Sequence, residues 1–400
     1  MEWINGGVCA PLGFRAAGVH CGIRAGKAKK DLALVVSDVM ASAAAVYTQN
    51  LVQGAPIGVT RNNLQNGQAR AVICNSGIAN TCNADGLEKA MGMCILAADA
   101  LSIAPEDVIV ASTGVIGQPL DFEPIRRGIP ELVQALSTQG NTDAVQAMMT
   151  TDTVPKEFAV CVELDGGPVK IGGMAKGSGM INPNMATMLA FITTDAAISP
   201  SSLAAMLKEA ADLSFNRVSV DGDTSTNDML CVLANGQSGV AVDVDCAPFV
   251  QGLQAVCIAL AKLLAQDGEG ATKLIECRVS GAPTTQGARV VADSIINSPL
   301  VKTAMFGGDA NWGRILCAIG YAGIALDVGL IDVAFSSAQG QVWVCKRGAG
   351  IDFSEPQAAA VLACDALVID VRLNQGPAQA TAWGCDLSYD YVKINGDYRT

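Results

Sequence analysis

The chain has 400 residues, half of them hydrophobic and 16% charged, with 42 glycines and only 4% aromatics. A sequence this long and apolar buries more than one ordinary core and is not a disordered chain. The formal net charge is −12, and no basic stripe or aromatic platform interrupts it, which argues against nucleic acid or an anionic membrane surface as partner.

In chain order, the opening "MEWINGGVCAPLGF" has no basic start and no apolar h-region, so it does not read as a signal peptide. "DLALVVSD" (31–38), "ARAVICNSG" (69–77) and "DVIVASTG" (107–114) are short β-branched runs ending in Gly or Asn turns. Between them, "GLEKAMGMCILAADAL" (86–101) has helical spacing. A second helix is expected over 199–215, with Pro200 in its first turn and Leu203, Met206, Leu207, Ala210 and Leu213 on one face. A third, long and amphipathic, is expected over 247–268, stopped by Gly268. Strand-like sequence resumes at "IECRVSGA" (275–282), which places a boundary near 275. The tail "LSYDYVKINGDYRT" reads as a strand followed by polar sequence. Strands alternating with helices predict an α/β or α+β fold. No apolar run approaches the ~18 residues of a membrane span, and the cytoplasm is the expected compartment.

Fourteen cysteines are scattered among apolar neighbours without a Cys-x-x-Cys, as expected of reduced, buried thiols. The single histidine, His20, lies in a glycine-rich segment and reads as structural. Paired histidine metal ligands are thereby excluded, and any Ser-His or Cys-His site would have to use this one residue. "GIRAGKAK" and "KGSGMIN" lack the spacing of a phosphate loop and read as turns.

The stretch "GGMAKGSGMINPNMATMLAFITT" changes character at Thr187, from a loose glycine-rich loop to an unbroken apolar run. A hydroxyl is a weak nucleophile until a base takes its proton. Without a second histidine, an economical base is an α-amine on the same residue, with a pKa of ~7.7–8.0. Thr187 acquires one only if the Ala186–Thr187 bond is cut. The bland alternative is a β-branched residue opening a strand.

"KGSGMINPNMATML" closely resembles the signature of the ornithine acetyltransferase family, also called the glutamate N-acetyltransferase or arginine-biosynthesis bifunctional protein family. "GFRAAGVHCGIRAG", "AVYTQNLVQGAP", "AVICNSGIANTC", "STGVIG", "MMTTDTVPK", "SVDGDTSTND", "GGDANWGRILCAIGYAG" and "YVKINGDYRT" resemble it in the same order along nearly the whole chain. Ile78 and Ala310 depart from the asparagine and proline common there.

The resemblance implies a layered αββα-type sandwich with a smaller C-terminal α/β subdomain, autoprocessed between Ala186 and Thr187. It implies an α chain 1–186, a β-chain part 187–275 carrying the nucleophile, and a subdomain 276–400. Thr187 resembles the nucleophile, and Thr113 and Gly114 the oxyanion hole, here expected in a turn after a strand over 108–111. Thr150, Lys176, Thr187, Glu269, Asn395 and Thr400 resemble substrate-binding residues. The implied reaction carries an acetyl group from N2-acetylornithine to glutamate, giving ornithine and N-acetylglutamate. It needs no metal and no bound cofactor, and acetyl-CoA is an optional co-substrate. The α and β chains are implied to pair as a heterotetramer of two of each. A hydrolase or aminopeptidase with the same N-terminal nucleophile is the alternative.

Overall fold

The computed structural model of the chain describes residues 1–24, 28–182 and 188–397. They fall into two compact units. The first comprises residues 1–177, 184–216 and 224–260, and the second 178–183, 217–223 and 261–400.

The strands of the first unit are β1 (Glu2–Ile4), β2 (Phe14–Val19), β3 (Leu32–Tyr47), β4 (Gln68–Ile78), β5 (Val108–Val115), β6 (Lys156–Leu164), β7 (Gly167–Lys176) and β8 (Leu189–Thr194). After the two-residue β9 (Val218–Ser219) of the second unit comes β10 (Met229–Ala234). They form one sheet in the order β1-β6-β7-β8-β10-β3-β4-β5, with β2 paired to β3. The β4–β5 and β8–β10 pairs are parallel and the others antiparallel.

Helices α1 (Ala55–Asn63), α2 (Gly86–Leu101), α3 (Glu123–Gln134), α4 (Asn141–Met148) and α5 (Pro200–Leu213) accompany this sheet. Successive residues of a strand point to opposite faces. Leu32, Leu34 and Val36 of β3 accordingly join Met93 and Ala97 of α2 and Ile129 of α3 in one buried cluster. Ala33 and Val35 join Val145 and Met148 of α4 in another. A strand covered on both faces needs no polar alternation, which explains the continuous apolar run of "LALVV" (32–36). Helix α5 starts as its sequence predicts, with Ser199 Oγ accepting from the Ser202 N–H and Pro200 in the first turn. Leu203, Met206, Leu207 and Ala210 are buried, and Leu213 only half so.

Helix α6 (Ala247–Gln266) is long and apolar enough, by length and composition, to cross a membrane, a property that the interrupted apolar pattern of its sequence conceals. Its apolar side faces protein: Val256 and Leu260 are fully buried, and Gly252 lets it approach the sheet so closely that a Cβ there would meet Val162 at 2.7 Å.

The second unit holds β11 (Leu274–Ala282), β12 (Asp332–Ser337), β13 (Gly340–Lys346), β14 (Ala349–Gly350), β15 (Ala366–Arg372) and β16 (Ala378–Cys385). With β9 they form a sheet in the order β14-β13-β12-β15-β11-β16-β9. Its helices are α7 (Thr285–Asn297), α8 (Pro299–Gly307), α9 (Trp312–Gly320), α10 (Glu355–Leu362) and α11 (Tyr389–Gly396). Ala288, Val291, Ala292 and Ile295 of α7 pack with Cys277 and Val279 of β11 in its core.

Two sequence expectations fail locally. The tail is a helix, α11, rather than a strand: Ser388 caps it, its hydroxyl accepting from the Asp390 N–H, and this local cap outweighs the β-preference of Tyr389, Tyr391 and Val392. Thr113 and Gly114 lie within β5, not in a turn after it, because pairing with β4 continues through Ser76↔Thr113 and Gly77↔Gly114. Phe191 of β8 has no solvent exposure. Phe191→Ala is expected to cost about 3–5 kcal/mol of stability, read as a lower urea midpoint at unchanged m.

Candidate active site

The C-terminal end of β5 presents Thr113, only 7% exposed, followed by Gly114 at φ +131°. A Cβ on Gly114 would meet the carbonyl carbon of Gly77 at 2.2 Å. Only glycine fits there, for backbone conformation and for the closeness of β4 alike. Asn227 holds this strand end from the side. Its Nδ2 donates to the carbonyls of Ala79 (2.7 Å) and Ser112 (3.0 Å), and its Oδ1 accepts from Thr81 Oγ1 and Thr226 Oγ1, both at 2.6 Å.

Lys176 ends β7 and is almost fully buried. Its Nζ donates to Thr113 Oγ1 at 3.2 Å. Asp152, in the segment between α4 and β6, organises the same region. Its Oδ1 accepts from Lys156 Nζ at 2.8 Å and from the Gly177 N–H at 2.6 Å, and its Oδ2 accepts from the Thr150 N–H at 2.9 Å. The Asp152 and Lys156 side chains have no exposure. Burial alone would raise the Asp152 carboxyl; the Lys176 and Lys156 ammoniums outweigh it and hold it well below the usual carboxylate range. Burial pushes the Lys176 ammonium below its ordinary value, and Asp152 opposes that push.

At the start of β8, the Met188 N–H donates to Asp228 Oδ1 at 3.0 Å. Asp228 Oδ2 is buried without a hydrogen-bond partner among the described residues, and burial pushes this carboxyl well above the usual range.

In the second unit, Glu269 is buried and Asn395 Nδ2 donates to its Oε2 at 2.8 Å. The Glu269 N–H donates to the Ser178 carbonyl at 2.8 Å. Asp221 accepts from the N–H groups of Met180 (2.6 Å) and Ile181 (2.8 Å) and from the Tyr391 hydroxyl (3.3 Å).

The sequence-predicted residues thus form two groupings. Thr113 and Lys176 are hydrogen-bonded to one another, and Asp152 joins the Thr150 and Gly177 backbones beside Lys176. Glu269 and Asn395 are paired in the second unit. Ala186, Thr187 and Thr400 lie outside the described residues. His20 is exposed, its Nδ1 2.8 Å from the Lys29 carbonyl oxygen. No group of three or more potential metal-ligating side chains occurs among the described residues.

The ArgJ family model matches residues 15–400. The arginine biosynthesis bifunctional protein ArgJ of Symbiobacterium thermophilum is 52% identical over 406 residues, covering 100% of both chains. That of Caldanaerobacter subterraneus subsp. tengcongensis is 47% identical over 405 residues, again covering 100% of both. This chain belongs to the ArgJ family. Among solved structures, ornithine acetyltransferase from Mycobacterium tuberculosis, complexed with ornithine, is 38% identical with a TM-score of 0.42, covering 46% of this chain and 97% of that one.

Sequence reasoning passes over Asp152 and Lys156, and it leaves Asn227 and Asp228 without a role inside the polar stretch 221–228, which reads equally as lining a site or as capping turns. All four sit inside stretches that carry the ArgJ resemblance, "MMTTDTVPK" and "SVDGDTSTND". The signal available was an acid and a lysine four residues apart, which in sequence reads as a solvated ion pair. Gly114→Ala is expected to lose both stability, by about 1–3 kcal/mol or more, and acyl transfer activity, because its Cβ would meet the β4 backbone at 2.2 Å and push the end of β5 out of place. Circular dichroism alongside initial rates checks both halves of the statement.

Proposed function

We propose that this chain transfers the acetyl group of N2-acetylornithine to glutamate through an acetyl ester on Thr187. Membership of the ArgJ family makes it an acyltransferase of arginine biosynthesis. The observation that carries the finer reading is the end of β5. There a nearly buried Thr113 hydroxyl accepts from the Lys176 ammonium, beside a glycine whose conformation no other residue readily adopts.

In this reading the Ala186–Thr187 bond is cut by the chain itself, leaving an α chain 1–186 and a β chain from Thr187. The freed α-amine takes the proton from Thr187 Oγ as that oxygen attacks the acetyl carbon. The Thr113 hydroxyl and the Gly114 N–H stabilise the developing oxyanion, and the amine returns the proton to the departing nitrogen of ornithine. The glutamate amine then attacks the ester, giving N-acetylglutamate and restoring Thr187. Lys176 pairs with the substrate carboxylate and Glu269 with the δ-ammonium of ornithine, while Thr150, Asn395 and Thr400 complete the binding groups. No metal or bound cofactor takes part, and acetyl-CoA is a second possible donor. The α and β chains associate as a heterotetramer in the cytoplasm.

Incubation with N-acetylornithine and glutamate is expected to yield N-acetylglutamate and ornithine in equal amounts. Thr113→Ala is expected to lower kcat about 10²–10³-fold. Acetate release that ignores glutamate would point to hydrolysis instead. On a denaturing gel the wild type is expected as two bands and Thr187→Ala as one, near the full 41.0 kDa.

A further inference from the structure

Three buried charged side chains converge behind Thr113. Lys176 ends β7, Lys156 starts β6, and Asp152 stands four residues before Lys156. An ammonium has three protons and no lone pair, whereas a hydroxyl both donates and accepts. With Lys176 charged, Thr113 Oγ1 must accept across the 3.2 Å contact, and its own proton is left to point elsewhere. With Lys176 neutral, the nitrogen can accept, and the hydroxyl proton turns back onto it. The charge on one buried amine thus sets the direction of the hydrogen bond, and a charged donor also polarises the hydroxyl.

We propose that Asp152 is a positioning residue which, balanced by Lys156, keeps Lys176 in its ammonium form and so makes the Thr113 hydroxyl a donor toward the reacting carbonyl. The inference rests on the acetyl-transfer reading. Its geometric basis is the Asp152 carboxylate, which binds the Gly177 N–H at 2.6 Å, one residue beyond Lys176, and Lys156 Nζ at 2.8 Å. Gly177 is at φ +143°, so the chain turns there directly over this carboxylate.

The other groups facing Lys176 do not replace Asp152. Arg24 and Lys156 are cations and disfavour its charge, while Cys74 of β4 favours it only as a thiolate. Burial pushes that thiol up to about 12. Burial likewise pushes the Asp228 carboxyl toward its neutral form. Among the described residues facing Lys176, Asp152 is the carboxylate held ionised, and the substrate carboxylate joins it only when substrate is bound.

The sign of each perturbation follows. Acylation should fail on the alkaline side as Lys176 loses its proton. Asp152→Asn removes the favourable charge and moves that failure to lower pH. Lys156→Met removes a repelling charge and moves it to higher pH. Each shift should be roughly one pH unit, the scale of a single charge a few ångströms away. The double variant D152N/K156M removes both buried charges, and its failure should lie below that of the wild type but above that of Asp152→Asn. It keeps the question testable if Asp152→Asn alone does not fold.

The readout is ornithine release in a single turnover without glutamate, measured across the alkaline range on the full-length protein. Opposite shifts for Asp152→Asn and Lys156→Met support the proposal. Reduced amplitude with an unmoved alkaline limb in every variant overturns it and leaves a packing role. A wild type that releases no ornithine at all overturns the acetyl-transfer reading first, and the two failures are thereby distinguished.

Discussion

The Asp152 carboxylate is the point on which the proposed active site depends. It accepts three hydrogen bonds from three places in the chain, namely the Thr150 backbone after α4, Lys156 at the start of β6, and the Gly177 backbone after β7. The Asp152 and Lys156 side chains lie in the protein interior, where an unpaired charge is costly and a satisfied one is directional. Breaking such a pair on one side strands the other charge, an effect of several kcal/mol in typical cases. The arrangement therefore ties strand ends together and fixes the electrostatic surroundings of Lys176 in the same contacts.

The sheet around it supplies rigidity by different means. Small aliphatic residues on β3, β4 and β5 leave little room for side-chain adjustment, and helices cover both faces of these strands. Gly114 pairs with Gly77, whose backbone lies too close to leave room for any side chain on Gly114. Asn227 then uses all four of its hydrogen-bonding opportunities on the loop and strand end beside Thr113. The proposed oxyanion donor, held this way, would need no reorganisation as charge develops, and that is the physical advantage of a preorganised site.

Much of the fold was legible in the sequence. The helix over 86–101 matches α2 to the residue, and the buried face of α5 follows its apolar spacing, apart from the half-buried Leu213. Each failure has an identifiable cause. The tail became helix because one capping serine decided it. "STG" looked like a turn because Ser, Thr and Gly favour turns in isolation, whereas parallel pairing to β4 holds them in a strand, a long-range contact that the segment does not announce. The α6 helix looked unlike a spanning segment because Gln and Lys punctuate it. In the site, Thr113, Gly114 and Lys176 were reached through family resemblance rather than through residue chemistry. Asp152, Lys156 and Asn227 were visible only once the strands were placed side by side, since partners such as Lys176 and Ser112 are far from them in sequence.

A covalent acetyl group at Thr187 is the central step of the proposed reaction. The most direct measurement is the intact mass of the protein's fragments after mixing with N-acetylornithine alone, and again after glutamate is added. The fragment expected to begin at Thr187 should gain the mass of one acetyl group, and glutamate should remove it. An unmodified fragment during turnover, or an acetyl group that glutamate leaves in place, would contradict the proposed reaction.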